Sequence, residues 1–274
     1  MRADMHIHTL CSDGTLTSED VVRLAQSAGL GLVAVTDHDT VSACADVARF
    51  AEEKGIKTVT GIEVSAYDNR IKFHTLGYGV DVKKFAPFQK RLFESSLVRA
   101  EDIISKLQAC GFGITLEEVF AERNSSTTPV HGMHIARVMV KKGYVASCDR
   151  FFKKYLAYGK PAFSCIHRPT PEEAVEAICS AGGLAVVAHP ARIQMDAATL
   201  KNRIEKLALC GLGGIEVYYT THTKEQTAYY KNLAETLGLL QTGGSDTHTQ
   251  GGNRVIGQPV FEPGAELIER LNLD

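Results

Sequence analysis

The segment Arg2–His8 alternates, with Ala3, Met5 and Ile7 on one face of an extended chain and Asp4, His6 and His8 on the other. Such a strand turns two imidazoles and a carboxylate the same way, and they need partners once buried. The pattern recurs along the chain. "LGLVAVTDHD" ends in Asp37, His38 and Asp39, "VVAH" in His189, and "GGSDTH" in Asp246 and His248. "KTVTGIEVSAY" carries Glu63 to the end of a third strand and "IKFHTLGYG" carries His74 in a fourth. Helical stretches follow most of these runs. Repeated βα units specify a parallel sheet or barrel, whose strand C-termini share one face. Polar groups distant in sequence, Asp13 among them, are therefore expected to converge.

The helices carry their own end signals. Thr17 or Ser18 caps one, with Glu19 and Asp20 in its first turn, and Gly55 closes the next. After residue 82 the alternation stops. "FQKRLFESSLVRAEDIISKLQACG", "TLEEVFAER", "HIARVMVKKG" and "CDRFFKKYLAYG" read as consecutive helices, and the βα rhythm returns near Pro169. The chain thus divides into an α/β core over residues 1–82 plus 166–274 and a helical insertion over 83–165.

Composition narrows the function classes. At 274 residues the chain can bury a sizeable core. A net charge of −2 gives no overall polyanion-binding balance and argues against duplex DNA as a partner. No apolar run is long enough to span a bilayer, and no leader pattern opens the chain. Seven scattered cysteines without a CxxC pair suit reduced thiols and a cytoplasmic location.

His6, His8, His38, His74, His189 and His248 in one pocket with several carboxylates would repel or stay unsatisfied without a cation. For one histidine alone, a satisfied structural role is the simpler reading; recurrence at successive strand ends outweighs it. Imidazole and carboxylate donors without cysteine suit Zn²⁺, Mn²⁺ or Fe²⁺. They outnumber what one ion needs, so two to three divalent ions are expected. No GxSxG, P-loop or GxGxxG offers a competing chemistry.

In order, "DMHIHTLCSDG", "TDHD", "GIEVS", "FHTLGY", "VAHP" and "GGSDTH" resemble the motifs of the PHP (polymerase and histidinol phosphatase) family of metal-dependent phosphoesterases. The helical insertion resembles that of a subgroup containing nucleotide phosphatases and 5′ exoribonucleases. The resemblance implies a distorted (β/α)7 barrel with an inserted helical subdomain and a trinuclear centre. It implies that His6, His8 and Asp246 hold one ion with Glu63 bridging. Asp13, His38 and His248 would hold a second, and Glu63, His74 and His189 a third. Asp4 and Asp37 would orient imidazoles through the other ring nitrogen. Asp39 reads as a helix cap and Cys11 as a small packed residue.

"VHGMHIARVMVKKGY" resembles the family's Arg-Pro-His-Ile-Ala-Arg segment, implying that the insertion is a substrate-binding cap with His134 and Arg137 on the substrate. Gly132 and Met133 stand where arginine and proline are expected, leaving His131 to compensate for one phosphate contact. His222 would be a further substrate-side residue, and one of Tyr218 and Tyr219 would face the pocket. The implied activity is hydrolysis of a phosphomonoester of a small metabolite by a hydroxide bridging two ions. The substrate would be a nucleotide, such as a 3′,5′-bisphosphate or a 5′-monophosphate. One alternative is a 5′→3′ exoribonuclease on short RNA, which needs a basic groove with aromatic platforms. Phe151, Phe152, Lys153, Lys154, Tyr155 and Tyr158 are material for one, or equally for an amphipathic helix. Another is a non-catalytic metal-binding module, which lost ligands would favour. Histidinol phosphatase fits less well, because the insertion points to the other subgroup.

Overall fold

The computed structural model describes residues 1–273. β1 (Ala3–Ile7), α1 (Ser18–Ser27), β2 (Leu32–Val35), α2 (Cys44–Glu52) and β3 (Lys57–Thr58) open the chain. The Thr17 side chain accepts from the Asp20 backbone N–H, and Asp20 reaches back in return, so this capping box fixes the start of α1. β4 (Gly61–Asp68) and β5 (Ile71–Tyr78) follow. Then come α3 (Val82–Ala109), α4 (Leu116–Phe120), α5 (Gly132–Lys141) and α6 (Cys148–Phe151), the last running into a π turn over Phe152–Leu156. The α/β part resumes with α7 (Pro171–Ser180), β6 (Leu184–Val187), α8 (Ala197–Leu209), β7 (Gly214–Tyr219), α9 (Lys224–Leu237), β8 (Leu240–Gly244) and α10 (Ala265–Arg270).

The strands form two sheets, ordered β1-β2-β3 and β4-β5-β6-β7-β8. Two bridges join them, Ile7 to Thr247 and His38 to Glu63. The result is a distorted barrel of seven strands, β1, β2 and β4 to β8, with β3 flanking it. The expectation of a parallel sheet or barrel holds for most strand pairs but not at β5, which runs antiparallel to both β4 and β6. The connection between β4 and β5 is only Asn69 and Arg70, with φ of 45° and 73°. Two residues suffice for a hairpin and are too few for a parallel crossover. This reversal brings the first half of β5, and with it His74, to the rim where the parallel strands end.

α3 begins six residues before the "FQKR" run because Asp81 caps it, accepting from the backbone N–H groups of Lys83 and Lys84. It is shared between two apolar clusters. Phe85 and Leu92 pack with Ile62, Val175 and Ile204 outside the barrel wall. Ala100, Ile103 and Leu107 pack with Val119, Ile135, Met139 and Phe151 of the other inserted helices.

Candidate metal centre

Glu63, the third residue of β4, sits at the middle of the polar cluster and is fully buried. Its Oε2 lies 3.3 Å from His6 Nε2, 3.2 Å from His8 Nε2 and 3.0 Å from His38 Nδ1. Its Oε1 lies 2.6 Å from His74 Nδ1 and 2.9 Å from His189 Nε2. One carboxylate thus divides five imidazoles between its two oxygens. Asp246 Oδ1 faces His6, His8 and His248 at 3.5, 3.2 and 3.4 Å, and Asp13 Oδ1 lies 3.3 Å from His248 Nε2. All nine residues expected as ligands converge. Glu63 does not end its strand as the sequence pattern suggests; β4 runs on past the rim as the hairpin arm.

Three donor sets are compact enough for an ion: His6, His8, Glu63 and Asp246; His8, Asp13, His38 and His248; and His38, Glu63 and His74. The first matches the expected grouping. The second adds His8 to the expected set. In the third, His38 stands beside Glu63 and His74, and His189 reaches the same Glu63 oxygen.

The donors fit cations. His6 Nε2, both His8 ring nitrogens, Asp13 Oδ1, His38 Nδ1, Glu63 Oε2 and His74 Nε2 are buried without a hydrogen-bond partner among the described residues. Orphans gathered in one place mark a binding site, because each alone would destabilise the fold. Burial opposes ionisation of Glu63, yet His74, His38 and His6 hold its carboxyl well below the usual range. Asp13 and Asp246 behave alike against their own imidazoles. Burial also disfavours charge on His8, but Asp246 and Glu63 push it up to about 9. These carboxylates attract any cation, proton or metal.

Backbone strain is concentrated here. Asp39, His189 and Asp246 have φ of 60°, 29° and 54°, a region that non-glycine residues seldom occupy.

The supporting residues differ from expectation. Asp4 accepts from the backbone N–H groups of His6, Ser245 and Gly257, at 3.2, 2.9 and 2.8 Å. Asp37 accepts from Thr9 and Ser12. Both hold ligand-bearing loops rather than imidazole nitrogens. The carboxylate that orients an imidazole is Glu216 on β7, which no motif singled out. It lies 2.8 Å from His6 Nδ1 and accepts from the His189 backbone N–H at 2.6 Å. Asp39 is no helix cap, since Ala43 starts α2. Its carboxylate accepts from the Ser65 N–H at 2.8 Å and pairs with Arg168 at 2.5 Å.

A cleft of about 740 Å³ opens above the donors, between barrel loops, the β4–β5 hairpin and the inserted helices. Arg70, Lys72, Arg99, Lys153, Arg192 and Arg254 line it, and Asp149 is the one acid in the lining outside the donor cluster. Arg192 and Arg254 both reach Asp246 Oδ2, which also accepts from the Tyr219 hydroxyl at 2.7 Å. Neither arginine stands out in the sequence.

None of the three residues expected on the substrate is part of the cleft lining. His134 Nε2 donates to the Ser12 carbonyl at 3.1 Å, and its Nδ1 accepts from the His131 N–H. Arg137 donates to the Asp13 carbonyl at 2.6 Å. Both brace the Asp13 loop. Burial lowers the His134 pKa to about 4, so its ring is neutral. His222 bonds the Val217 carbonyl at 2.9 Å and packs between Tyr219 and Tyr230, away from the cleft lining. His131 comes nearer the cluster, its ring 5.5 Å from that of His38. Tyr219 is the tyrosine of its pair that turns to the cluster, while Tyr218 packs on Phe261.

Comparison with known proteins agrees with this geometry. The PHP domain model matches residues 4–248. The chain belongs to the PHP domain family. A 3′,5′-nucleoside bisphosphate phosphatase from Chromobacterium violaceum is 33% identical over 95% of this chain and 94% of the relative. A 5′-3′ exoribonuclease from Haemophilus influenzae is 31% identical over 89% of each. Among solved structures, one from Bifidobacterium adolescentis described as a metal-dependent phosphoesterase superposes with a TM-score of 0.86. It is 26% identical, covering 99% of this chain and 95% of that one. No helix among the described residues is long and apolar enough to cross a membrane.

Proposed function

We propose that this PHP-family enzyme is a metal-dependent phosphoric ester hydrolase that cleaves a phosphomonoester of a nucleotide. A nucleoside 3′,5′-bisphosphate or 5′-monophosphate is the substrate class. One observation carries the reading: partnerless, buried imidazole and carboxylate atoms form the floor of a cleft with a cationic wall. Such a floor suits metals, and such a wall suits a polyanion. A relative spanning nearly the whole chain carries the same activity in its name.

Two to three divalent ions, Mn²⁺, Fe²⁺ or Zn²⁺, would be held by His6, His8, Asp13, His38, Glu63, His74, His189, Asp246 and His248. When bound they lower the pKa of water and neutralise phosphoryl oxygens. The chain supplies the rest. Glu216 fixes the His6 ring so that Nε2 points at the cluster. Arg192 and Arg254, held over Asp246, present guanidinium groups where phosphoryl oxygens would lie. Residues 83–165 act as a cap that closes one side of the cleft with Met133, Phe152 and Tyr158. Seven free cysteines are in keeping with a cytoplasmic setting.

A 5′→3′ exoribonuclease is the second reading, and a specific feature favours it. Tyr67, Phe163 and Tyr158 form an aromatic row in the cleft, with ring centroids 6.2 and 5.5 Å apart. Tyr158 is 59% exposed at its outer end. Stacking there would serve one base or several.

The test is phosphate release by metal-reconstituted protein from mononucleotides, 3′,5′-bisphosphates, short 5′-phosphorylated RNA and histidinol phosphate. His8→Ala and Glu63→Ala are expected to abolish turnover while the circular dichroism spectrum stays that of the folded chain. Full activity in either variant removes the mechanism.

A further inference from the structure

The β4–β5 hairpin runs like a ruler from the donor cluster into the cleft. Glu63 pairs with Leu76, Ser65 with His74 and Tyr67 with Lys72. Alternate residues of a strand share a face, so Glu63, Ser65, Tyr67, His74 and Lys72 present to the same side. Lys72 therefore stands two residues beyond His74, or ~7 Å at the rise of a strand. α3 contributes Arg99 to the lining of the same cleft. Arg99 donates through Nε to the Ser164 carbonyl at 3.0 Å. The nearby carboxylates are already taken, Asp39 by Arg168 and Asp102 by Lys106, each at 2.5 Å. Among the described residues neither Arg99 nor Lys72 enters an ion pair, whereas Lys153 is paired with Asp149. A partly desolvated guanidinium beside a second arginine, with no acid of its own, is costly unless an anion joins it.

We propose that Lys72 and Arg99 form a subsite for a second phosphate of the substrate, one ribose away from the metal centre. The inference rests on the phosphoesterase reading above and narrows it. The enzyme would prefer nucleotides with phosphate on both sides of the ribose to those with one. Binding the phosphate that is not cleaved anchors the ribose and aims the scissile ester at the donors. A terminal monoester and the next diester of a 5′-phosphorylated RNA share this chemistry, so the test includes both.

Metal-reconstituted protein is assayed with adenosine 3′,5′-bisphosphate, adenosine 5′-monophosphate, adenosine 3′-monophosphate and the 5′-phosphorylated dinucleotide pApA. The wild type is expected to favour the bisphosphate in kcat/KM over both monophosphates. Lys72→Met and Arg99→Met should each shrink that preference by about 10- to 100-fold, mainly through KM, as for the loss of one charged contact. Arg99→Lys should restore part of it. A calorimetric titration of metal-free protein provides a readout without turnover. There the bisphosphate should bind more tightly than the 5′-monophosphate, and the two Met variants should lose the difference. An equal preference for pApA identifies a diester as the retained group and supports the subsite. Equal kcat/KM for mono- and bisphosphate in the wild type, or a preference surviving both Met substitutions, overturns it. Should no substrate release phosphate, the phosphoesterase reading fails, and the titration alone decides the subsite.

Discussion

Glu216 shows what single residues contribute beyond the donors themselves. It is fully buried, and its two oxygens are spent on the His6 ring and the His189 backbone. It therefore fixes two ligand-bearing strand ends at once. Orienting carboxylates of this kind are worth about 10- to 100-fold in metal affinity. Glu216→Ala is expected to weaken binding of Mn²⁺ or Zn²⁺ by that factor in a competitive chelator titration, with helical content unchanged. Affinity equal to wild type would show that His6 needs no such partner. The signal for this residue was present in the sequence, since Gly-Ile-Glu-Val occurs at 61–64 and again at 214–217. Each copy lies on a barrel strand and turns its glutamate inward. The donor cluster was legible because imidazoles recurring at strand ends, once buried together, need a cation between them. Arg192 and Arg254 were not, because a lone arginine in a polar loop is ordinary until the fold brings it over a carboxylate.

Among the elements, the decisive junction is where β8 meets β1 and the barrel closes. Asp246 donates its backbone N–H to the His6 carbonyl at 2.7 Å, so the two strands bring their candidate donors together directly. That closeness requires Gly244, where a Cβ would collide with the His6 Cβ and lie 2.5 Å from His6 N. Gly244→Ala must push β8 and β1 apart, at a cost of about 1–3 kcal/mol for overpacking against backbone. A lower Tm by calorimetry and a loss of bound metal by elemental analysis are expected together. Normal values of both would mean that the junction yields easily. α1 could be read because its threonine cap announces it, and α7 and α9 start at threonine caps of the same kind. The reversal of β5 could not be read from apolar pattern, which is the same for either direction. The two-residue Asn69–Arg70 link was the available clue. α10 went unread, being a six-residue helix with a glycine at its cap.

Across the whole molecule, the inserted helices and the barrel meet at the loop that carries Asp13. The order of motifs made the barrel legible, but what the insertion does for it depends on contacts no motif encodes. His134 and Arg137 matched a substrate-contacting segment, yet they reach the carbonyls of Ser12 and Asp13 and neither is in the cleft lining. The same Asp13 carboxylate faces His248 and belongs to the set with His8 and His38. The insertion thus helps to hold the loop whose Asp13 carboxylate faces the donor cluster, and on the proposed reading it encloses the substrate as well. This reverses the kinetic expectation for Arg137. Were it a phosphate contact, Arg137→Ala would raise KM and leave metal content alone. As a brace, its loss frees the Asp13 loop and should weaken binding of the ion held by Asp13, His38 and His248. A drop of about 10-fold in affinity for that ion is expected, the lower end of the range for residues that orient ligands. Excess metal should then recover kcat, with KM near that of wild type. Metal titration followed by steady-state kinetics at saturating Mn²⁺ separates the cases. A raised KM that added metal does not correct would return Arg137 to the substrate.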